Sequence, residues 1–268
     1  MDFTGKSILI TGASSGIGLE LSKKLVGENC KLALLARSFD KLQDFTLKYK
    51  TNTNFLHPVH CDVSDKKNVS DAVDSVINQL GGIDIAILNA GTSQRLNIEN
   101  FSSEIGEKII RVNLLGQIYF LQRLIPYFIK KRSGIIVGIS SLADARGFPR
   151  SAFYNSSKAG LTKLLESIRI ELKGYGVKVI TVRPGFVKTA MTDKNEFYMP
   201  LLMSVSRAAG IILRGIKKEK RKIQFPFPVV IGTYIIEIMP DSWFEFFAGI
   251  HLKSLKTLPG NRETEKKI

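Results

Sequence analysis

Six short apolar runs recur along this chain, separated by stretches of helical pattern, and that alternation leaves few folds open. The runs are Ser7 to Ile10, Lys31 to Leu35, Asn54 to Val59, Ile83 to Leu88, Gly134 to Ile139 and Val177 to Val182. Continuous apolar strands of this kind belong in a parallel sheet covered on both faces. Helical patterns begin between them at Gly16, Phe39, Ser64, Ser102 and Phe153, the fourth running to about Lys131. Right-handed crossovers then predict an α/β fold: a Rossmann-like, doubly wound parallel sheet in three α/β/α layers. Ligands of such sheets bind beyond the carboxyl ends of the strands.

At 268 residues, 44% of them hydrophobic and without internal repeats, the chain is expected to form a single domain. Met1 to Lys6 leads straight into the first strand, with no secretory pattern, which predicts a cytoplasmic protein. Cys30 and Cys61 could form one bridge, but both sit in or beside apolar strand patterns, where buried reduced thiols are expected. His57, His60 and His251 have no metal-ligand spacing, and no metal is expected.

The first strand ends in a glycine-rich turn, Thr11-Gly12-Ala13-Ser14-Ser15-Gly16-Ile17-Gly18, that opens a helix. Glycines at such a turn let a pyrophosphate approach the backbone and the helix N-terminus. The spacing is G-x-x-x-G-x-G rather than the G-x-G-x-x-G of the other dinucleotide fingerprint. Farther on, Tyr154 and Lys158 stand four residues apart, with Ser141 thirteen residues before the tyrosine. Positions i and i+4 share one helix face, so an ammonium can lie beside a phenol. Such a cation is expected to lower the tyrosine pKa from its ordinary value of about 10 toward a range useful for proton transfer.

Together these motifs resemble the short-chain dehydrogenase/reductase family, over about residues 5 to 192. The resemblance implies that Gly12, Ser14, Ser15, Gly16, Ile17 and Gly18 hold a dinucleotide, with Asp62 near the adenine and Asn89 in the turn after the fourth strand. Asp62 has a competing role as cap of the helix from about Ser64. At the end of the second strand Ala36 takes the position where an NAD enzyme usually carries an acid, and Arg37 follows. In the family that pattern implies a guanidinium on the 2′-phosphate, hence NADP(H). Pro184, Gly185, Val187 and Thr189 match the segment beside the nicotinamide. Asn113, Ser141, Tyr154 and Lys158 match the catalytic set: a water-holding asparagine, a substrate-orienting serine, the acid and the lysine. Ser140 rivals Ser141, and only the spacing to Tyr154 favours the latter.

From these matches residues 1–225 read as an NADP-binding catalytic domain, with a substrate lid at about 190–206 that includes Phe197, Tyr198, Met199 and Leu202. An ordinary helix packed on the core is the alternative for that apolar stretch. A last strand is expected at Ile223 to Phe225. Residues 226–268 form an apolar-aromatic and basic C-terminal extension, which resembles membrane-associating extensions in some family members. Glu237, Pro240, Asp241 and Glu245 interrupt its apolar run, so it should lie at an interface rather than span. Residues 207–268 carry 12 Lys and Arg against 6 Asp and Glu, a balance that suits an anionic lipid surface. A subunit contact in a homo-oligomer and a flap over the substrate are the other uses for it. The net charge of +15 comes without a nucleic-acid recognition module, so no nucleic-acid partner is expected.

Three functions are consistent with this pattern. The first is an NADPH-dependent carbonyl reductase or alcohol dehydrogenase for a small hydrophobic, lipid-like substrate. The second is a 3-oxoacyl-carrier-protein reductase, and the third a non-catalytic NADP-binding scaffold.

Overall fold

All seven strands run the same way. The computed structural model describes residues 1–51, 55–193 and 199–256. The strands are β1 (Ser7–Thr11), β2 (Lys31–Ala36), β3 (Phe55–His60), β4 (Ile85–Leu88), β5 (Gly134–Ile139), β6 (Val177–Pro184) and β7 (Lys222–Phe225). They form one sheet in the order β3-β2-β1-β4-β5-β6-β7, every pairing parallel. The expected start of the third strand, Asn54, lies outside the described residues.

The continuous apolar pattern is explained by burial on two sides. In β1 Ile8 and Ile10 face one layer and Leu9 the other, and their partners Leu32, Leu34 and Ala33 follow suit. All six are fully buried. Burying a leucine or isoleucine contributes about 1.5–3 kcal/mol, so slipping the register by one residue would be costly. Helices α1 (Gly16–Val26), α2 (Phe39–Tyr49) and α7 (Val205–Lys217) cover one face; α3 (Lys66–Leu80), α5 (Gly116–Lys131) and α6 (Ala152–Leu172) cover the other.

The long helix expected from Ser102 is α4 (Ser103–Ile110) joined to α5 through a π turn at Arg111–Leu115, where Gly116 N–H donates to Arg111 O. Such bulges recur at functional sites, and Asn113 sits in this one. The helix expected from Ser64 starts at Lys66, because Asp65 caps it by accepting Asn68 N–H at 2.9 Å. Both cysteines are buried free thiols whose pKa values burial pushes up to about 12.

After β7 come α8 (Phe227–Ile238) and α9 (Asp241–Lys256). They part at Met239, which adopts the extended conformation that a following proline imposes. Among the described residues no helix is long and apolar enough to cross a membrane.

Candidate active site

The strand order reverses direction between β1 and β4, and a cleft of about 200 Å³ opens there. Gly12 (φ +66°) and Gly16 (φ +54°) occupy left-handed conformations. A Cβ on Gly18 would stand 2.3 Å from Gly12 O, so the turn closes only on glycine. Asn89 locks β4 to it: its Nδ2 donates to Thr11 O at 3.0 Å, and Thr11 Oγ1 accepts the amides of Asn89 and Ala90. Ser15, Gly16 and Ile17 border the cleft at the start of α1. The Ser15 hydroxyl makes no capping bond, and no acid stands in the first turn. Uncapped first-turn amides suit an anion, so a pyrophosphate fits the donors present. Pro184, Gly185, Val187 and Thr189 form the opposite wall.

Tyr154, in the first turn of α6, lines the cleft with Ser141. Ser141 caps a short 3-10 turn, its Oγ accepting Ala143 N–H at 3.1 Å. Since an oxygen that accepts still has its own proton to give, the hydroxyl remains a donor toward the cleft. The rival, Ser140, is used inside the fold: its Oγ donates to Lys158 O at 3.0 Å and lies 2.7 Å from Thr162 Oγ1. Adjacent side chains leaving a strand point to opposite sides, which separates the two serines.

Lys158 is buried, its ammonium donating to Ile139 O at 2.9 Å and standing 5.8 Å from the Tyr154 ring centroid. Helical spacing brings the pair together as expected, but the expected lowering of the phenol pKa is corrected. Burial pushes Tyr154 up, the Ser141 hydroxyl opposes the rise, and the Asp144 charge adds to it. Lys158 itself is desolvated and falls to about 8, with Asp144 opposing. The ammonium is turned to a carbonyl, not to the phenolic oxygen.

Asn113 is fully buried. Its Oδ1 accepts Thr92 N–H at 2.7 Å, and its Nδ2 donates to Thr92 O at 2.9 Å and to Ser157 Oγ at 3.0 Å. Both amide hydrogens are spent, one on the turn after β4 and one on α6. A water at Asn113 would need its main-chain carbonyl or the second lone pair of Oδ1.

The pairing of Ala36 with His60 sets Arg37 and Asp62 at neighbouring strand ends, beyond the residues that line the cleft. Burial works to raise the Asp62 pKa, but the Ser64 hydroxyl and amide, with the Arg37 and His60 charges, hold it below the ordinary carboxylate range. Asp62 is not the α3 cap, which is Asp65. Ser14 is half-buried on the turn, Gly18 lies under it, and Asn113 stands behind Gly91.

A second, larger cavity of about 770 Å³ shares Ser141, Tyr154, Pro184 and Gly185 with the first. Its walls include Leu142 and Phe148, Met191 and Leu201 from the expected lid, Val229, Thr233 and Ile236 from α8, and Phe244 and Phe247 from α9. Phe197 and Tyr198 of the expected lid lie outside the described residues. Among the described residues of the lid segment, Met203 returns beside the stretch that precedes the lid, its N–H bonded to Phe186 O and its O accepting Lys188 N–H. Phe148, Val229 and Ile236 carried no local signal, because nothing in a sequence marks which apolar residues of a distant helix face a cavity.

The sequence model of the short chain dehydrogenases matches residues 6–197. The chain belongs to the short-chain dehydrogenase/reductase family. An uncharacterized oxidoreductase from Myxococcus xanthus is 31% identical over 240 residues, 90% of this chain and 95% of that one. A 3-oxoacyl-(acyl-carrier-protein) reductase from Thermotoga maritima is 32% identical over 194 residues, 72% of this chain and 79% of that one. Among solved structures, a short-chain dehydrogenase/reductase from Burkholderia phymatum in complex with NAD shares the fold. Its TM-score is 0.80 at 20% identity, covering 88% of this chain and 94% of that one. An alcohol dehydrogenase from Thermococcus sibiricus complexed with 5-hydroxy-NADP superposes with a TM-score of 0.72 at 26% identity, covering 82% and 95%. This family member is therefore an oxidoreductase with a dinucleotide-binding fold.

Proposed function

We propose that this short-chain dehydrogenase/reductase is an NADPH-dependent carbonyl reductase or alcohol dehydrogenase acting on a hydrophobic, lipid-like substrate. The observation that carries the proposal is the convergence of Ser141 and Tyr154 at the place where the cleft beside the glycine turn meets the apolar cavity. When bound, the nicotinamide cofactor supplies or accepts the hydride.

In this reading the amides at the start of α1, with Gly12 and Ser14, hold the pyrophosphate, Arg37 takes the 2′-phosphate and Asp62 lies toward the adenine. Asn89, Pro184, Gly185, Val187 and Thr189 border the nicotinamide end. Tyr154 donates a proton to the carbonyl oxygen while the Ser141 hydroxyl bonds the same atom, placing two donors where negative charge develops. Lys158 contributes an ammonium beside Tyr154 and within reach of a ribose. Asn113 fixes the turn after β4 and holds the water that returns the proton. Residues 1–225 carry the chemistry, and the extension from 226 onward closes the substrate side.

The outer side of that extension leaves Phe227, Ile235, Ile238, Trp243 and Phe246 more than half exposed. Exposed apolar patches mark interfaces or membranes, and the +6 balance of residues 207–268 favours an anionic lipid surface in a peripheral cytoplasmic arrangement. Cosedimentation with anionic vesicles should be abolished by Ile238→Glu with Trp243→Glu. If the doubly substituted protein instead loses a homo-oligomeric mass, the face is a subunit contact.

NADPH consumption against long-chain ketones, aldehydes and 3-oxoacyl thioesters tests the main proposal. Turnover confined to carrier-protein thioesters would favour the second reading, a 3-oxoacyl-carrier-protein reductase, which the Thermotoga relative and the basic charge support. The α8–α9 cover over the cavity weighs against so bulky a partner. Tight NADPH binding without turnover of any carbonyl would leave the scaffold reading.

A further inference from the structure

Two ionic links, one of them bridged by an arginine of β6, tie the C-terminal helices to the segment between Ser141 and Tyr154. Arg183, on β6 immediately before Pro184, is buried. Its Nε donates to Asp144 Oδ1 at 2.9 Å, and its Nη2 donates both to Asp144 Oδ1 and to Glu237 Oε1 of α8, the latter at 2.8 Å. Asp144 closes the 3-10 turn that Ser141 caps, and its Oδ2 accepts the Thr162 hydroxyl of α6. The second pair joins Arg146 to Asp241, in the first turn of α9, at 2.9 Å. The same guanidinium lies 4.5 Å from the Phe244 ring centroid.

One buried arginine therefore grips two carboxylates with different duties. Asp144 holds the turn that aims Ser141, and Glu237 holds the helix that forms the far wall of the larger cavity. Few apolar anchors locate that helix, since only Val230 and Thr233 of α8 are buried, and apart from Glu237 it is bonded to the sheet through the exposed Tyr234 hydroxyl, which donates to Gln224 Oε1 of β7 at 2.9 Å. A helix with so small an apolar anchor can slide or rotate unless a directional contact stops it, and a hydrogen-bonded guanidinium–carboxylate pair is directional.

We propose that Arg183 and Glu237 are positioning residues that set the distance of α8 from the Ser141–Tyr154 pair and thereby decide which apolar substrates fit. The proposal rests on reading the larger cavity as the substrate site. Neither side chain borders that cavity; both act through Asp144 and through the wall residues Val229, Thr233 and Ile236. A long substrate must lie along that wall, whereas a short ketone needs only Ser141 and Tyr154.

Replacing Arg183 would leave the buried Asp144 carboxylate unpaired and endanger folding, so the test is made on Glu237, which is partly exposed and whose loss leaves Arg183 with Asp144. Full-length Glu237→Gln is assayed with NADPH against a long-chain 2-alkanone and against 2-butanone. KM for the long ketone should rise about tenfold, with kcat, KM for 2-butanone and NADPH affinity within about twofold, and Glu237→Asp should recover part of the loss. Hydrogen exchange on the same proteins should find faster exchange in residues 227–238 and no change in β5 and β6. Equal KM ratios in the variant and the parent, or unaltered exchange in α8, would overturn the proposal. Should the parent reduce neither ketone, the carbonyl-reductase reading fails, and the exchange experiment still decides whether Glu237 locates α8.

Discussion

The sheet and the C-terminal helix pair use apolar residues in opposite ways. Every residue of β1 and β4 is buried, so each apolar side chain there is consumed in packing two layers together. Among the described residues of α8 and α9 most apolar side chains face either a cavity or the outside, and Ile238 is 84% exposed. A core of the first kind specifies itself through close packing. The second kind depends on a few polar anchors and on what fills or covers it. Chemistry is therefore built on the rigid part and substrate choice on the adjustable part, a division that substitutions can break or sharpen.

The largest effect should come from the rigid part. Tyr154→Phe removes the proton donor and should lower kcat by about 10²–10⁴-fold while NADPH and apolar ligands bind as before; retained turnover in stopped-flow assays would remove Tyr154 from its role. On the adjustable side the order of effects reverses. Ile236→Ala combined with Phe244→Ala strips the cavity wall and should raise KM for a long ketone by tens of fold, given about 1.5–3 kcal/mol for each large apolar side chain, with melting temperature nearly constant. A large drop in melting temperature would mean that the extension belongs to the core after all.

Smaller effects sharpen the boundary. NADPH should bind about tenfold tighter than NADH, a difference of about 1.4 kcal/mol, and Arg37→Asp should narrow or invert the preference. Equal affinities in the unaltered protein would dismiss the arginine. The mildest effect is the pH dependence. Lys158, with its pKa drawn down to about 8 by burial, is an ammonium below that value and neutral above it. Ketone reduction should accordingly decline by several fold between about pH 7 and 9, and a profile level through that range would show that the lysine charge is not required.

Much of the rigid part was legible in the chain because its constraints are local. Doubly buried strands need unbroken apolar runs, and the glycine turn admits no side chain at Gly18. The i, i+4 spacing brought Tyr154 and Lys158 together, yet it misjudged their electrostatics. Spacing states which residues are neighbours; it does not state that the Lys158 ammonium bonds Ile139 O, or that desolvation at the phenol outweighs the opposing Ser141 hydroxyl. Asn113 was recognised by its match to a family motif, but its engagement by Thr92 and Ser157 depends on a π turn that no residue type announces.

By itself the sequence determined the doubly wound sheet, the glycine turn opening the first helix, the family, and the placement of serine, tyrosine and lysine at one end of the strands. Each follows from periodicity, from steric exclusion of a side chain, or from a fixed separation along one element. Tertiary structure alone decided that Ser141 rather than Ser140 joins Tyr154 where the two cavities meet, that Asp144 and Glu237 converge on Arg183, and that α8 and α9 wall the larger cavity. These outcomes join residues up to about a hundred positions apart, through side-chain directions and burial that exist only once the sheet has assembled.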